Sequence, residues 1–127
     1  MEAALSGRLM ADAGVAAIVG DRVFWDSRPE GSELPALVMT MLNGEQPRAM
    51  RGNVSIERSY VQFKAIAEDK AAAVALRKAV IAVVEVEGIH GGVTFQAAQN
   101  IEHRGAPVNT NSAVIDQDII DAVIFHY

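Results

Sequence analysis

Residues 54–86 read VSIERSYVQFKAIAEDKAAAVALRKAVIAVVEV, and a change of period within this stretch decides the fold. Up to Ala67 apolar and polar residues alternate, which predicts a long strand with one covered face and one partly wet face. From Asp69, a suitable N-cap, apolar residues recur at helical spacing as far as Val86. The apolar stripe consists of Ala73, Leu76, Val80, Val83 and Val84. A helix with such a stripe is expected to pack across a sheet.

The residues before this stretch predict one helix and two shorter strands. Leu5 and Leu9 start an amphipathic pattern that should end at Gly20, with a break near Gly14. Residues 21–25 are typical of a brief strand. Leu37–Leu42 is almost wholly apolar and predicts a second strand.

The residues after the long helix complete the predicted sheet. Three glycines between 88 and 92 predict a turn, and strands are expected at Val93–Glu102 and Val114–Tyr127. This order of elements predicts an α+β fold, with an antiparallel or mixed sheet, an N-terminal helix and one long helix packed on one face. No repeat or linker interrupts the pattern, so we expect a single domain over residues 1–127.

The charge and cysteine content exclude several classes of protein. The chain has 11 Lys and Arg against 16 Asp and Glu, a net charge of −5, which argues against binding nucleic acid through clustered cations. It has no Cys, which excludes disulfides and thiolate metal sites and fits a reducing compartment. Residues 1–5 lack the features of a signal peptide, and no apolar run approaches the ~20 residues needed to cross a bilayer. We therefore expect a cytoplasmic protein that does not bind membranes.

The residues that most often carry catalysis or bind metals are scattered. His90, His103 and His126 lack the spacing of metal ligands. The sequence contains no G-x-S-x-G elbow, P-loop or G-x-G-x-x-G motif. We therefore expect no enzyme activity, no metal and no cofactor. The alternative from another class is a small ligand-binding or enzyme domain whose site is spread along the chain.

Asp116 and Asp118 lie on one face of the last predicted strand, because side chains two residues apart on a strand point the same way. The Gly and the distal Glu of a calcium-binding loop are missing around them. We interpret these carboxylates as part of an acidic face that is exposed to solvent or lines the lumen of an assembly.

Two further features favour contact with other proteins. Residues 43–53 are polar and contain two Gly and one Pro, which predicts an exposed, mobile loop. Arg48, Met50 and Arg51 place an apolar side chain between cations there, a mixture typical of contact surfaces. The strands at 54–67 and 114–127 are long, and we expect them at the edge of the sheet, where a partner would have to cover them. These features predict an oligomer.

Four segments also follow the pattern of a known family. They are residues 11–24 (ADAGVAAIVGDRVF), Leu34–Val38, Val61–Ala65 and the Ala-rich helix Ala71–Val84. In these segments the chain resembles the tail-completion, or tail-terminator, proteins of long-tailed bacteriophages and related gene transfer agents. The resemblance covers nearly the whole chain in order. Residues 43–53 are an insertion relative to the usual pattern.

The resemblance implies a role as well as a fold. It implies a subunit of a ring, usually a hexamer, that caps the tail tube and joins it to the head-tail connector protein. Double-stranded DNA would pass through the ring without specific binding, and the resemblance implies no catalytic residues. The subunit would be found in the host cytoplasm during assembly and then in the particle's tail. A head-closure or connector subunit of similar size is the alternative within virion assembly.

Overall fold

The computed structural model describes residues 2–28, 33–45, 56–109 and 114–127. The helices are α1 (Glu2–Ala11), α2 (Ala13–Val19) and α3 (Lys70–Val84). The strands are β1 (Val23–Trp25), β2 (Ala36–Glu45), β3 (Glu57–Ala67), β4 (Gly88–His90), β5 (Val93–Phe95), β6 (Gln99–Gly105), β7 (Val108–Asn109) and β8 (Val114–His126).

The strands form one mixed sheet in the order β1-β2-β3-β8-β5-β4, and β6 and β7 also pair with β8. β1 runs parallel to β2, whereas the other pairs are antiparallel. The helices pack on one face of this sheet, which confirms the predicted α+β fold.

Local sequence signals account for the helix ends. The Asp69 side chain accepts a hydrogen bond from the backbone N–H of Ala72 at 2.7 Å, which confirms the predicted start of α3. The N-terminal helix ends at Gly20, as predicted, where the backbone adopts a φ of +59°. It is split at Asp12, whose carboxylate caps α2 by accepting from Val15 N–H at 3.0 Å.

The core lies between α3 and the two longest strands. All five residues of the predicted stripe on α3 are buried. They face Val61 and Phe63 of β3 and Ile120 of β8, whose side chains point to the same side because β3 and β8 pair in register. Leu5 and Leu9 of α1 are fully buried in the same core.

Arg8 of α1 fastens the C-terminal end of α3. Its Nη2 donates hydrogen bonds to the carbonyl oxygens of Val83 at 2.9 Å and Val86 at 2.6 Å. Its guanidinium lies 5.3 Å from the centroid of the Phe95 ring, and burial lowers the pKa of the group. The last carbonyl groups of a helix have no partner within the helix, so Arg8 satisfies an acceptor that would otherwise depend on water.

The structure corrects three predictions about the strands. The strands at 57–67 and 114–126 are central and not at the edge, because β3 lies between β2 and β8, and β8 pairs on both sides. The single strand expected at 93–102 is two strands, β5 and β6. Residues 43–45, which were expected in a loop, belong to β2 and pair with β3, and residues 46–53 lie outside the described residues.

Candidate assembly surface

The face of the sheet opposite the helices carries the polar side chains of the central strands. Tyr60 and Gln62 of β3 and Asp121 of β8 point to this side and are half-buried. Gln62 Nε2 donates to Asp121 Oδ1 at 3.3 Å, and Arg104 Nη1 donates to Asp121 Oδ2 at 2.7 Å. Both oxygens of the Asp121 carboxylate therefore accept a hydrogen bond, and the resulting network joins β3, β8 and β6.

A shallow cavity of about 210 Å³ opens beside this network. It is lined by Tyr60, Asn100, Glu102, Asp121, Ala122 and Val123. Sites for small molecules usually enclose roughly 300–1,000 Å³. This cavity is smaller than that range, which leaves little room to enclose a cofactor.

Asp118 occupies a different environment from the one predicted. It is buried, and its Oδ2 lies 3.2 Å from Nε of Arg77 on α3. Even-numbered residues of β8 point towards the helices, so Asp118 lies under α3, where a cation neutralises it. The prediction that Asp118 faces solvent or a lumen is therefore wrong.

Asp116 is half-buried and lies opposite Ala67 of β3. It shares the helix-facing side with Asp118, and its place in any lumen stays a prediction. The other predicted contact residues, Arg48, Met50 and Arg51, lie outside the described residues.

The three histidines lie in separate places. His90 packs against Gly7 of α1, where an added Cβ would come within 2.8 Å of the ring. His103 contacts Arg77, with 2.7 Å between the His103 Nδ1 and the Arg77 Nη1 atoms. In the part of the chain that the structure describes, no cluster of three or more His, Asp or Glu side chains could hold a metal ion.

His126 belongs to a buried polar cluster that the sequence did not reveal. Its Nε2 lies 3.0 Å from Ser59 Oγ, and its Nδ1 lies 3.7 Å from Glu57 Oε2. Burial lowers the pKa of His126, and the negative charge of Glu57 partly opposes that shift. The order of these groups resembles a hydrolase triad, but Ser59 and His126 are each 3% exposed. The hydroxyl is closed to substrate, so the cluster fastens β3 to β8. Only the pairing register, with Glu57 opposite His126, could have predicted it.

Exposed apolar side chains gather near the β4–β5 hairpin. Val86 and Ile89 lie on either side of the start of β4, and Tyr127 joins Thr94 through two backbone hydrogen bonds of 2.8 and 3.0 Å. A cavity of about 440 Å³ opens beside Ile89. It is lined by Glu87, Gly88, Ile89, Thr94 and Phe95. We call this region the hairpin patch.

Another exposed apolar side chain, Leu42, lies on β2, outside the hairpin patch. Leu42 is 55% exposed and sits at a register shift in β2, between Met41 and Asn43. Single exposed apolar side chains are common on protein surfaces, so Leu42 alone does not mark a contact site. None of the described helices is long and apolar enough to cross a bilayer.

Comparisons with known proteins agree with this architecture. No curated protein matches the chain. Among solved structures, a chain from the virion of a native gene transfer agent (GTA) particle is similar, with 19% identity and a TM-score of 0.62, covering 100% of this chain and 95% of that one. A second solved structure has 18% identity and a TM-score of 0.63, covering 99% of this chain and 92% of the other. At these identities the likeness concerns the fold.

The family comparison goes further than the fold. The model of one family, described as tail completion protein gp17, matches residues 3–119. The match includes all three described helices, except Glu2 at the start of α1, and every described strand up to the middle of β8. Because it spans nearly the whole chain, this protein belongs to the tail completion protein gp17 family.

Proposed function

We propose that this protein is a tail terminator: a ring-forming subunit, hexameric in its working form, that caps the tail tube protein and joins it to the head-tail connector protein. The observation that carries the proposal is the family match over residues 3–119. That family makes the chain a structural protein of a phage-type tail. The ring, its capping role and its partners are the proposed steps.

The size of the subunit suits a ring around DNA. A compact chain of 127 residues has a radius of gyration of about 14 Å, so it is roughly 35 Å across. Six such bodies in contact leave a central opening about as wide as one of them. The net charge of −5 gives few contacts that release counterions, so double-stranded DNA would slide through without specific binding.

The burial of the polar side chains that could act in catalysis supports a structural role. The buried Ser59–His126–Glu57 cluster is closed to substrate, and the cavity on the open face of the sheet is only about 210 Å³. The solved chain from the GTA virion has the same fold. We therefore propose a protein without enzyme activity that assembles in the host cytoplasm and stays in the tail of the particle.

Deletion of the coding sequence from the genome that produces the particle tests this role. We expect full heads and separate tails in electron micrographs, and joined particles when purified wild-type protein is added to the lysate. A gold-labelled subunit should lie at the head-proximal end of isolated tails. A label on isolated heads would instead identify a head-closure subunit, and normal joining in the deletion would refute both roles.

A further inference from the structure

We infer that His103 is a pH-sensitive switch. While its ring is neutral, it holds β6 against α3, and protonation of the ring releases that strand. The contact that carries the inference joins the imidazole of His103 to the guanidinium of Arg77 on α3. The switch belongs to the subunit itself, so it does not depend on the proposed ring or its partners.

The ring of His103 is the hydrogen-bond acceptor of Arg77. Arg77 Nη1 lies 2.7 Å from Nδ1 and 2.9 Å from Nε2 of the ring. A neutral imidazole has one nitrogen without a proton in either tautomer, and both nitrogens are within reach of the guanidinium. A protonated imidazole carries a proton on each nitrogen and cannot accept a hydrogen bond. Protonation therefore removes this hydrogen bond, whichever tautomer is present before it.

Arg77 has no second acceptor to replace the ring in the part of the chain that the structure describes. Its Nε is buried without a hydrogen bond there, although it lies 3.2 Å from Asp118 Oδ2 in an ion pair. That single carboxylate already balances the charge of the guanidinium. A charged His103 would leave one positive charge uncompensated beside a half-buried cation, and like charges in contact repel.

The other charged groups on the helix-facing side of β8 lie too far away to compensate that charge. His103 pairs with Ile120. Asp116 and His126 are four and six residues along the strand from Ile120, or roughly 13 and 20 Å at ~3.3 Å per residue. Asp118, two residues from Ile120, is therefore the nearest carboxylate on this side of β8.

The charged groups of α3 and β6 do not favour a protonated ring either. The other charged residues of α3, Lys70 and Lys78, are cations and are exposed. Glu102 and Arg104, the neighbours of His103 on β6, point to the opposite face of the sheet, where Arg104 donates to Asp121. The local charges therefore favour the contact between α3 and β6 only while His103 is neutral.

β6 is the strand that depends on this contact. It pairs with β8 on one side, and no strand among the described residues pairs with its other side. Six of its seven residues are exposed, and its pairing with β8 is interrupted between Gln99 and Glu102. Segments with so few buried contacts open locally at a small cost in free energy. Loss of the His103–Arg77 contact should therefore open β6 before the rest of the sheet.

Opening of β6 would change the polar face on the other side of the sheet. Glu102 lines the cavity of about 210 Å³ there, and Arg104 holds one oxygen of the Asp121 carboxylate. Release of β6 would remove both side chains and uncover the edge of β8 that it pairs with. Protonation on the helix-facing side would thus alter the opposite, open face of the subunit.

Amide hydrogen exchange at pH 7.5 and 5.0, measured by NMR, tests the switch, because histidine titrates in this range. The matched variant is His103→Gln, whose amide oxygen can accept from Arg77 but does not titrate. After correction for intrinsic exchange, protection of the β6 amides should fall roughly threefold more in the wild type than in this variant as the pH drops. His126 is present in both proteins, so its contribution cancels. His90→Gln removes a different imidazole and should behave as the wild type does.

Two further measurements make the outcome decisive. The ring signals of His103 in the same spectra show the pH at which it is protonated. His103→Lys places a permanent cation without an acceptor beside Arg77, so its β6 amides should be weakly protected at both pH values. Equal protection of β6 with a neutral and a charged ring would overturn the switch, as would a ring that stays neutral down to pH 5.0. A loss of equal size in His103→Gln, or full protection in His103→Lys, would also overturn it.

Discussion

Two arginines on this protein form ion pairs that differ in exposure and therefore in energetic value. The Arg77–Asp118 pair has side chains 15% and 9% exposed, whereas those of Arg104 and Asp121 are 54% and 30% exposed. Desolvated charges depend on each other, because removing one leaves the other buried without a partner. Exposed pairs are screened by water and contribute at most about 1 kcal/mol.

The first prediction concerns the buried pair. Arg77→Met should lower the free energy of unfolding by up to about 3–5 kcal/mol, because Asp118 would lose the cation that neutralises it. Arg77→Met combined with Asp118→Leu should recover much of that loss. Arg104→Met is the matched control and should cost less than about 1 kcal/mol in urea unfolding. Equal losses for Arg77→Met and Arg104→Met would show that burial of the first pair has no energetic weight.

The second prediction concerns pH and His126. Burial lowers the pKa of this residue in the folded chain below its value of about 6.5 in the unfolded chain. The unfolded chain then binds this proton more tightly, so the free energy of unfolding should fall as the pH drops below about 6.5 and level off below the folded pKa. Urea unfolding at pH 7.5 and 5.5 measures the slope.

The control for that slope is His126→Asn, which keeps a polar group beside Ser59 but cannot titrate in this range. The difference in stability between pH 7.5 and 5.5 should be smaller in this variant than in the wild type. The same difference in both proteins would contradict the role of His126 and assign the slope to other groups.

At the level of helices and strands, the sequence predicted elements with a strong period and missed those defined by distant partners. The cap at Asp69 and the stripe on α3 could be predicted because capping and helical spacing are local signals. The central position of β8 could not be predicted, since it depends on pairing with β3 and β6, which are distant in sequence. The same reason hid the Ser59–His126 contact and the burial of Asp118. Contact residues in the segment 46–53 stay a prediction.

The third prediction tests the link between α1 and α3. Arg8→Ala should lower the free energy of unfolding by at least about 2 kcal/mol, because two charge-assisted hydrogen bonds to the carbonyls of Val83 and Val86 are lost. Arg8→Lys should be intermediate, since an ammonium group can still donate to a carbonyl but lacks the planar guanidinium that lies over the Phe95 ring. Thermal and urea unfolding measure both variants. Wild-type stability in Arg8→Ala would mean that water replaces the side chain at no cost.

At the scale of the whole molecule, the apolar surfaces lie at opposite edges of one sheet, whereas the fold itself is held by α3 and the central strands. Because of this separation, substitutions should be able to alter the proposed assembly without altering folding. Substitutions in the α3 stripe should unfold the subunit, whereas substitutions at the edges should leave it folded but monomeric.

The fourth prediction uses this separation for the segment after β2. Replacing residues 48–51 by Gly-Ser-Gly-Ser should leave the melting temperature unchanged and abolish ring formation or tail joining, because Arg48, Met50 and Arg51 are expected to contact a neighbouring subunit or the tail tube. Calorimetry and electron microscopy of complemented particles measure the two effects. Normal joining would exclude a role in contact, and a collapsed melting temperature would place the segment in the core.

The central position of β8 also has a kinetic consequence. Ser59 and His126 meet across 67 residues of chain, and the whole β3–β8 ladder has separations of this order. Sheets built on such distant pairings fold slowly, typically in milliseconds to seconds, because the entropy of loop closure is lost before the contacts form. Hydrogen exchange should therefore show its slowest amides in β3 and β8, which can open only when the whole domain unfolds. Until β8 pairs with β3, a newly made subunit would have β3 paired only with β2. The rate at which β8 reaches β3 would therefore limit how soon a folded subunit is available.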